Sequence, residues 1–534
     1  MVPETSNSRT GSAPCTLIND GDAPNQDEHA GIPEPQPAYE TAVHDRRPRV
    51  VVVGAGLGGL AAAVALGAEG YRVEVYEKNE RIGGKLNVLN RDGFTFDLGP
   101  SILSYPGIFA GLFLRAGAHL EDFVTLRPLD VHWRNVFVDG MRIDLVADRT
   151  LQAELLAHHD PRAAAQFMRF MHYAERQLDL VEKPYIQRGL DSAATMLLHF
   201  SPLGAMRLDA LATMADSVRR YFSSPHLRDT FAYFAKYIGS SAEHAPGFLN
   251  LLAAVQYRYG LWYVQGGMYN LANGLARLLE RLSVAVHCRS EVTEITCEGH
   301  TATGVRLADG RFVRADIVVS NMEVIPAHER LLHASPEDLR QFRRFEPSCS
   351  GVVIHLGLDK QYPELAHHNF FHSADQHGFL TSVFDRYELP SDPTVYVVAP
   401  TRSEQSLAPP GCEIVKLLPH VPHITDGRCG PSQYERFRER VIDKCERMGL
   451  TDLRTHIVTE HTWTPLDIER EYYSNRGAIY GVVSDRRKNF AFKAPKRSSR
   501  YHNLFFVGGS VNPGPGMPMV VQGGIQAADA VIHA

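Results

Sequence analysis

The stretch Arg49-Val50-Val51-Val52-Val53-Gly54-Ala55-Gly56-Leu57-Gly58-Gly59 decides the fold. Four consecutive valines are expected of a strand covered on both faces. The glycines follow at the spacing G-x-G-x-x-G. Leu60–Glu69, rich in Ala and Leu, reads as a helix; Tyr71–Tyr76 reads as a second strand, and Glu77 stands at its end. Strand, glycine turn, helix, strand and acid in that order form a dinucleotide-binding unit. Gly54 permits the tight turn, Gly56 lets a diphosphate approach the backbone, and Gly59 lets helix and strand pack closely. Ala55, Leu57 and Gly58 complete the turn, whose helix N-terminus offers free N–H groups to an anion. Glu77 is placed to accept ribose hydroxyls. Val50 to Ala68 carries no charge and is nearly long enough to span a bilayer, but its five glycines belong to the fingerprint.

Outward from this unit, the chain is ordinary in bulk. Of 534 residues, 44% are apolar and 22% charged, with a formal net charge of −6. The length implies more than one domain, and the charge gives no reason to expect nucleic acid. Residues 1–45 hold eight acidic residues against one basic, with six prolines. They read as a disordered acidic tail, neither a secretory signal nor a transit peptide. The seven cysteines contain no CxxC pair, so neither a disulfide framework nor a zinc site is expected. His367, His368, His372 and His377 are dense but lack acids at ligand spacing, so no metal is expected.

Further along, Trp262–Leu282 reads as a strand, a Gly266-Gly267 turn and an amphipathic helix. Val284–Ile295 reads as one strand, and 303–319 as a hairpin turning at Asp309-Gly310. Near the C-terminus, Asn503–Val507 is a buried strand. The run Gly508-Gly509-Ser510-Val511-Asn512-Pro513-Gly514-Pro515-Gly516-Met517-Pro518-Met519-Val520 follows, then a last helix from Gln522. So many glycines and prolines make sense where backbone lies against a flat ring.

The sequence Glu80-Arg81-Ile82-Gly83-Gly84-Lys85 resembles the second diphosphate contact of amine-oxidase and desaturase flavoproteins. Phe96-Asp97-Leu98-Gly99-Pro100-Ser101 resembles their loop past the flavin ring. With Tyr237-Ile238-Gly239-Ser240-Ser241, His367-His368-Asn369, Asp392-Pro393-Thr394, Ala408-Pro409-Pro410-Gly411 and Thr464-Pro465-Leu466-Asp467, the chain from Arg49 to Ala534 resembles the phytoene and dehydrosqualene desaturases. That resemblance implies FAD as cofactor. It implies an α/β fold: a Rossmann-type FAD-binding domain with an inserted substrate domain and a helical, membrane-facing lobe. The FAD-binding parts are then 46–150, 261–325 and 496–534, the lobe 151–260, and the substrate-binding domain 326–495. Besides the fingerprint and Glu77, the residues implied at FAD are Lys78, Arg81, Gly84, Lys85, Pro100, Ser101, Val292, Gly509, Ser510, Met519 and Val520.

The resemblance also implies a reaction: removal of hydrogens from a long polyene by hydride transfer to the flavin, with no catalytic triad or carboxylate pair. Oxygen or a membrane quinone would then accept the electrons. Related branches oxygenate, isomerise or saturate polyenes on the same scaffold. Asn512 replaces the family's usual histidine before Pro-Gly, and Met517 and Met519 flank Pro518. These three are the substrate-facing candidates, and they leave desaturase and oxygenase both open. An amine oxidase or a flavin-bound escort protein fits less well. The expected location is cytoplasmic, with peripheral attachment to a membrane surface.

Overall fold

A computed structural model describes residues 47–533, apart from 193–194, 196–198, 201 and 426. The acidic tail 1–45 lies outside the described residues. Five parallel strands form the nucleotide-binding sheet, in the spatial order 285–287, 72–76, 49–53, 317–320, 504–506. Val50, Val51 and Val52 are wholly buried at its centre, as a strand covered on both faces requires. The fingerprint helix spans Leu57–Ala68 and is buried along nearly its whole length. The closing helix Met517–Ile532 packs on it so tightly that a side chain at Gly524 would reach within 2.4 Å of the Gly58 carbonyl oxygen.

Two readings of the sequence need correction. The stretch read as one strand over Val284–Ile295 is two: Ala285–His287 joins the parallel sheet, while Val292–Glu298 opens an antiparallel meander with Thr301–Leu307 and Phe312–Arg314. Arg289, at φ 51°, turns the chain between them. The last helix begins at Met517 rather than Gln522. Pro518 is compatible with a first turn, where no amide hydrogen is needed, and Gly516 at φ 101° makes the entry. Met517, Met519 and Val520 are therefore first-turn residues.

A second, mixed sheet runs in the order 457–463, 353–358, 413–421, 395–398, 368–371, 131–136, 142–146. It draws on the hairpin 131–146 as well as on residues beyond 326, because Asn369–Phe371 pairs in parallel with Arg134–Val136. A helical segment lies beside it. Its helices Arg149–His159 and Pro161–Val181 are capped by the side chains of Asp148 and Asp160. Met214–Tyr221 starts with a capping box between Thr213 and Asp216. None of the described helices is long and apolar enough to cross a membrane.

Candidate active site

At the carboxyl ends of the parallel strands, three glycine turns converge. Gly56 bridges to Gly83 as neighbouring backbone, and the Gly83 amide donates to the Ala55 carbonyl at 2.7 Å. A Cβ on Gly58 would stand 2.9 Å from the Gly508 amide, and one on Gly59 would stand 2.2 Å from the Gly54 carbonyl oxygen. Side chains are thus excluded where backbone must face a ligand, and the fingerprint helix starts with no side-chain cap over its free amides.

Glu77 lies against this turn. Its carboxylate accepts from the Ala55 amide at 2.8 Å and the Asn79 amide at 2.9 Å. Burial pushes its pKa above the ordinary carboxylate range, opposed by those two amides. The Ser290 amide donates to the Glu77 carbonyl at 2.8 Å, which brings buried Val292 to the same end of the site.

The cations expected at the phosphates have protein partners. Lys85 pairs with Glu323 at 3.1 Å and donates to the Ala478 and Ile479 carbonyls. Arg81 reaches the Val88 carbonyl and Glu80. Lys78 stands over the Tyr473 ring at 4.5 Å. Asn321, at the end of the strand 317–320, went unnoticed in the sequence; its side-chain oxygen accepts from the Gly59 amide at 3.0 Å. A polar residue just beyond a buried strand of a parallel sheet was the available signal.

Gly99 lies so close to the Lys85 carbonyl oxygen that a Cβ there would sit 1.7 Å from it. This joins the second glycine turn to the loop Pro100–Ser101. Gly509 packs backbone to backbone on Gly481, and Ser510 accepts the Val324 amide at 2.9 Å. Val520 is half-buried in the closing helix.

Between the Pro100–Ser101 loop and the start of the closing helix opens a cavity of about 590 Å3. It continues into the helical segment past Val181, Ile186, Leu249 and Val255. Met517 and Met519 line it, and so do Pro100 and Ser101. Asn512 does not. It is 1% exposed, and its side-chain oxygen accepts from the Tyr185 hydroxyl and the Lys493 amide, each at 2.8 Å. Its side-chain NH2 donates to the Lys493 and Asp191 carbonyls. Short and hydrogen-bonded on every side, it is a buried tie rather than a substrate-facing group.

Among the described residues lining the cavity, the only ionisable groups besides tyrosines are three lysines: Lys236, Lys416 and Lys493. Burial pulls Lys416 down to about 8, opposed by Asp97, and Lys493 down to about 7. Lys416 donates to the Asp97 and Gly99 carbonyls at 3.1 and 2.6 Å, so it fastens the loop beside the cavity. The Asp97 carboxylate is held by the Tyr263 hydroxyl at 2.7 Å and the Met268 amide at 2.9 Å.

Of the four clustered histidines, His377 lies exposed on the helix Gln376–Thr381, and the other three are buried at the sheet, each bonded through one ring nitrogen. His367 bonds Ser403, His368 bonds the Tyr396 hydroxyl and His372 bonds Asn135. Among the described residues, no group of three His, Cys, Asp or Glu is arranged to hold a metal ion.

A parallel α/β sheet, a glycine-built diphosphate turn with its acid, and an apolar cavity at the strand ends define a nucleotide-binding oxidoreductase. The family model for flavin-containing amine oxidoreductases matches residues 57–532, and the chain belongs to that family. It is 50% identical over 486 residues, 91% of this chain and 98% of the relative, to a protein named 4,4'-diapolycopene oxygenase from a Methylomonas species. It is 46% identical, over 90% of this chain and 97% of the relative, to a 4,4'-diaponeurosporene oxygenase of Staphylococcus haemolyticus. Among solved structures, putrescine oxidase bound to putrescine superposes with a TM-score of 0.62 at 17% identity, covering 91% of this chain and 99% of that one; this likeness speaks to the fold.

The protein is an FAD-dependent oxidoreductase, and the residues present fit the cofactor. The glycine turns at 54–59 and 83–84, with Glu77, suit its adenosine and diphosphate. The Pro100–Ser101 loop and the backbone of 508–517 suit its ring at the cavity's end.

Proposed function

We propose that this chain is a carotenoid oxygenase, converting a terminal methyl of a long acyclic polyene to an aldehyde. The net reaction balances as R–CH3 + O2 → R–CHO + H2O, with dioxygen both oxygen donor and electron acceptor. FAD supplies the two-electron redox chemistry and the reaction with dioxygen. The chain's own residues bind the polyene, align one end beside the flavin site and exclude water.

The observation that carries this reading is the cavity wall. Its long apolar lining suits a hydrocarbon, and its three lysines are pulled by burial below the ordinary lysine range. An amine substrate arrives as a cation and would want an acid there; none is present among the described lining residues. The names of the half-identical relatives support oxygenation over desaturation. Uptake of oxygen-18 from labelled dioxygen into the product tests the choice.

Such a substrate is dissolved in lipid, so the cavity needs a route to a bilayer. Phe200, Leu208, Ala210 and Phe490 line it on the side of the helical segment. Around them, Met206, Leu211 and Phe490 are 83%, 82% and 53% exposed. Arg207, Arg487 and Lys488 lie exposed in the same two segments. Apolar side chains beside cations suit the interface of an anionic membrane. In this reading the protein sits peripherally, its cavity mouth against the lipid.

A further inference from the structure

The three cavity lysines differ in what they hold. Lys416 binds two carbonyls, and Lys493 donates to the Val482 carbonyl at 2.6 Å and the Ser484 hydroxyl at 2.8 Å. Lys236 is 7% exposed, and its Nζ stands among aromatic rings: 4.2 Å from the Tyr396 centroid, 4.5 Å from Phe370, 4.7 Å from Tyr237 and 4.8 Å from Trp133. Among the described residues no oxygen accepts its N–H groups. Three of the rings come from neighbouring strands of the mixed sheet, 131–136, 368–371 and 395–398. The lysine and Tyr237 come from the turn Tyr233–Ile238 of the helical segment.

Ring faces do not replace hydrogen-bond acceptors of ordinary strength, and burial among them pulls the Lys236 amine well below the ordinary lysine range. A buried donor without an acceptor is costly. The hydroxyls of Tyr237 and Tyr396, whose rings stand beside the amine, bond other groups and not Lys236: Tyr237 donates to Gln256 at 2.8 Å and Tyr396 bonds His368 at 2.9 Å. The missing acceptor therefore belongs to what fills the cavity. A pure hydrocarbon has none. A polyene carrying oxygen has one.

We propose that Lys236 is a specificity-determining residue that recognises oxygen already placed on the polyene, donating to a hydroxyl or carbonyl at a chain end while Tyr237 and Tyr396, which line the cavity with it, flank the adjoining conjugated carbons. This rests on the oxygenase reading, which supplies such ends. A half-oxidised chain is then held in preference to the parent hydrocarbon, so a second oxidation follows the first without loss to the membrane.

The test uses FAD-loaded protein without dioxygen, titrated with 4,4'-diapolycopene and with its mono-aldehyde. Wild-type protein binds the aldehyde several-fold more tightly, by roughly 3- to 10-fold, as one ordinary hydrogen bond provides. The aldehyde's visible band moves to the red on binding, and the hydrocarbon's does not. In Lys236→Met both the preference and the shift vanish, while hydrocarbon affinity stays within about twofold. Persistence of preference and shift in the variant overturns the proposal. Equal affinity and an unshifted band in the wild type overturn it regardless of how the variant folds. Failure of the oxygenase reading shows separately, as a wild-type product formed in air without added oxygen.

Discussion

Glu77 reaches across the fingerprint turn to accept the amide hydrogen of Ala55 at 2.8 Å, so the acid expected at the ribose also braces the glycine turn. Its second carboxylate oxygen holds the Asn79 amide at 2.9 Å. One side chain therefore couples the end of the second strand to the start of the fingerprint helix. Removing it acts on cofactor and fold together.

Glu77→Ala is expected to weaken FAD binding by about 1.5–3 kcal/mol, the worth of a charged-acceptor hydrogen bond. Flavin content after gel filtration and the melting temperature of the apo-protein measure the two effects. Full FAD occupancy would remove Glu77 from the site.

Asn512→Ala is expected to destabilise the protein by roughly 1–3 kcal/mol, because it leaves the buried Lys493 amide and the Tyr185 hydroxyl without that acceptor. The readout is the denaturation midpoint. Affinity for the polyene, measured on the fraction that remains folded, should change little, since Asn512 does not line the cavity. A stable variant with altered substrate affinity would restore it to the substrate side.

Met519→Lys is expected to abolish turnover while FAD stays bound. Met519 is half-buried on the cavity wall, at the first turn of a helix. An added cation there opposes the apolar chain and is unfavourable at a helix N-terminus. Flavin absorbance and product formation are the paired measurements; parent-like turnover would take the closing helix out of the substrate site.

Lys493 sets a pH dependence. Its pKa falls from 10.5 in the open chain to about 7 when folded, through burial. Between those values the unfolded chain holds more protons than the native one, so stability from the neutral form rises with pH. That contribution is complete above 10.5 and is lost as pH falls through about 7. Lys493→Met should flatten the rise in melting temperature between pH 7 and pH 10 relative to wild type, each pKa unit being worth about 1.4 kcal/mol. Parallel curves for the two proteins would contradict it.

The nucleotide-binding half was legible because its signals are local. Val50–Val53, the glycine spacing and Glu77 lie within thirty residues and fix one another. The closing helix was read five residues late because Gly516, Met517 and Pro518 look like loop, although proline is at home in a first helical turn. The cavity was not legible. Ser101, Val181, Lys236, Tyr396, Lys493 and Met519 are scattered along the chain, and only the packing of sheet, helices and closing helix brings them together. Lys236 sits within a run of aromatics that reads equally as helix core. The sequence contains its partners Trp133, Phe370 and Tyr396 but not the register that stacks them around one amine.

The oxygenase reading is tested by single turnover of FAD-loaded protein with 4,4'-diaponeurosporene, which keeps one saturated CH2–CH2 bond, under oxygen-18 dioxygen, quenched with borohydride and read by mass spectrometry. The expected product is a terminal alcohol, from the trapped aldehyde, carrying one labelled oxygen. A product lighter by two hydrogens and free of label would make the chain a desaturase and contradict that reading.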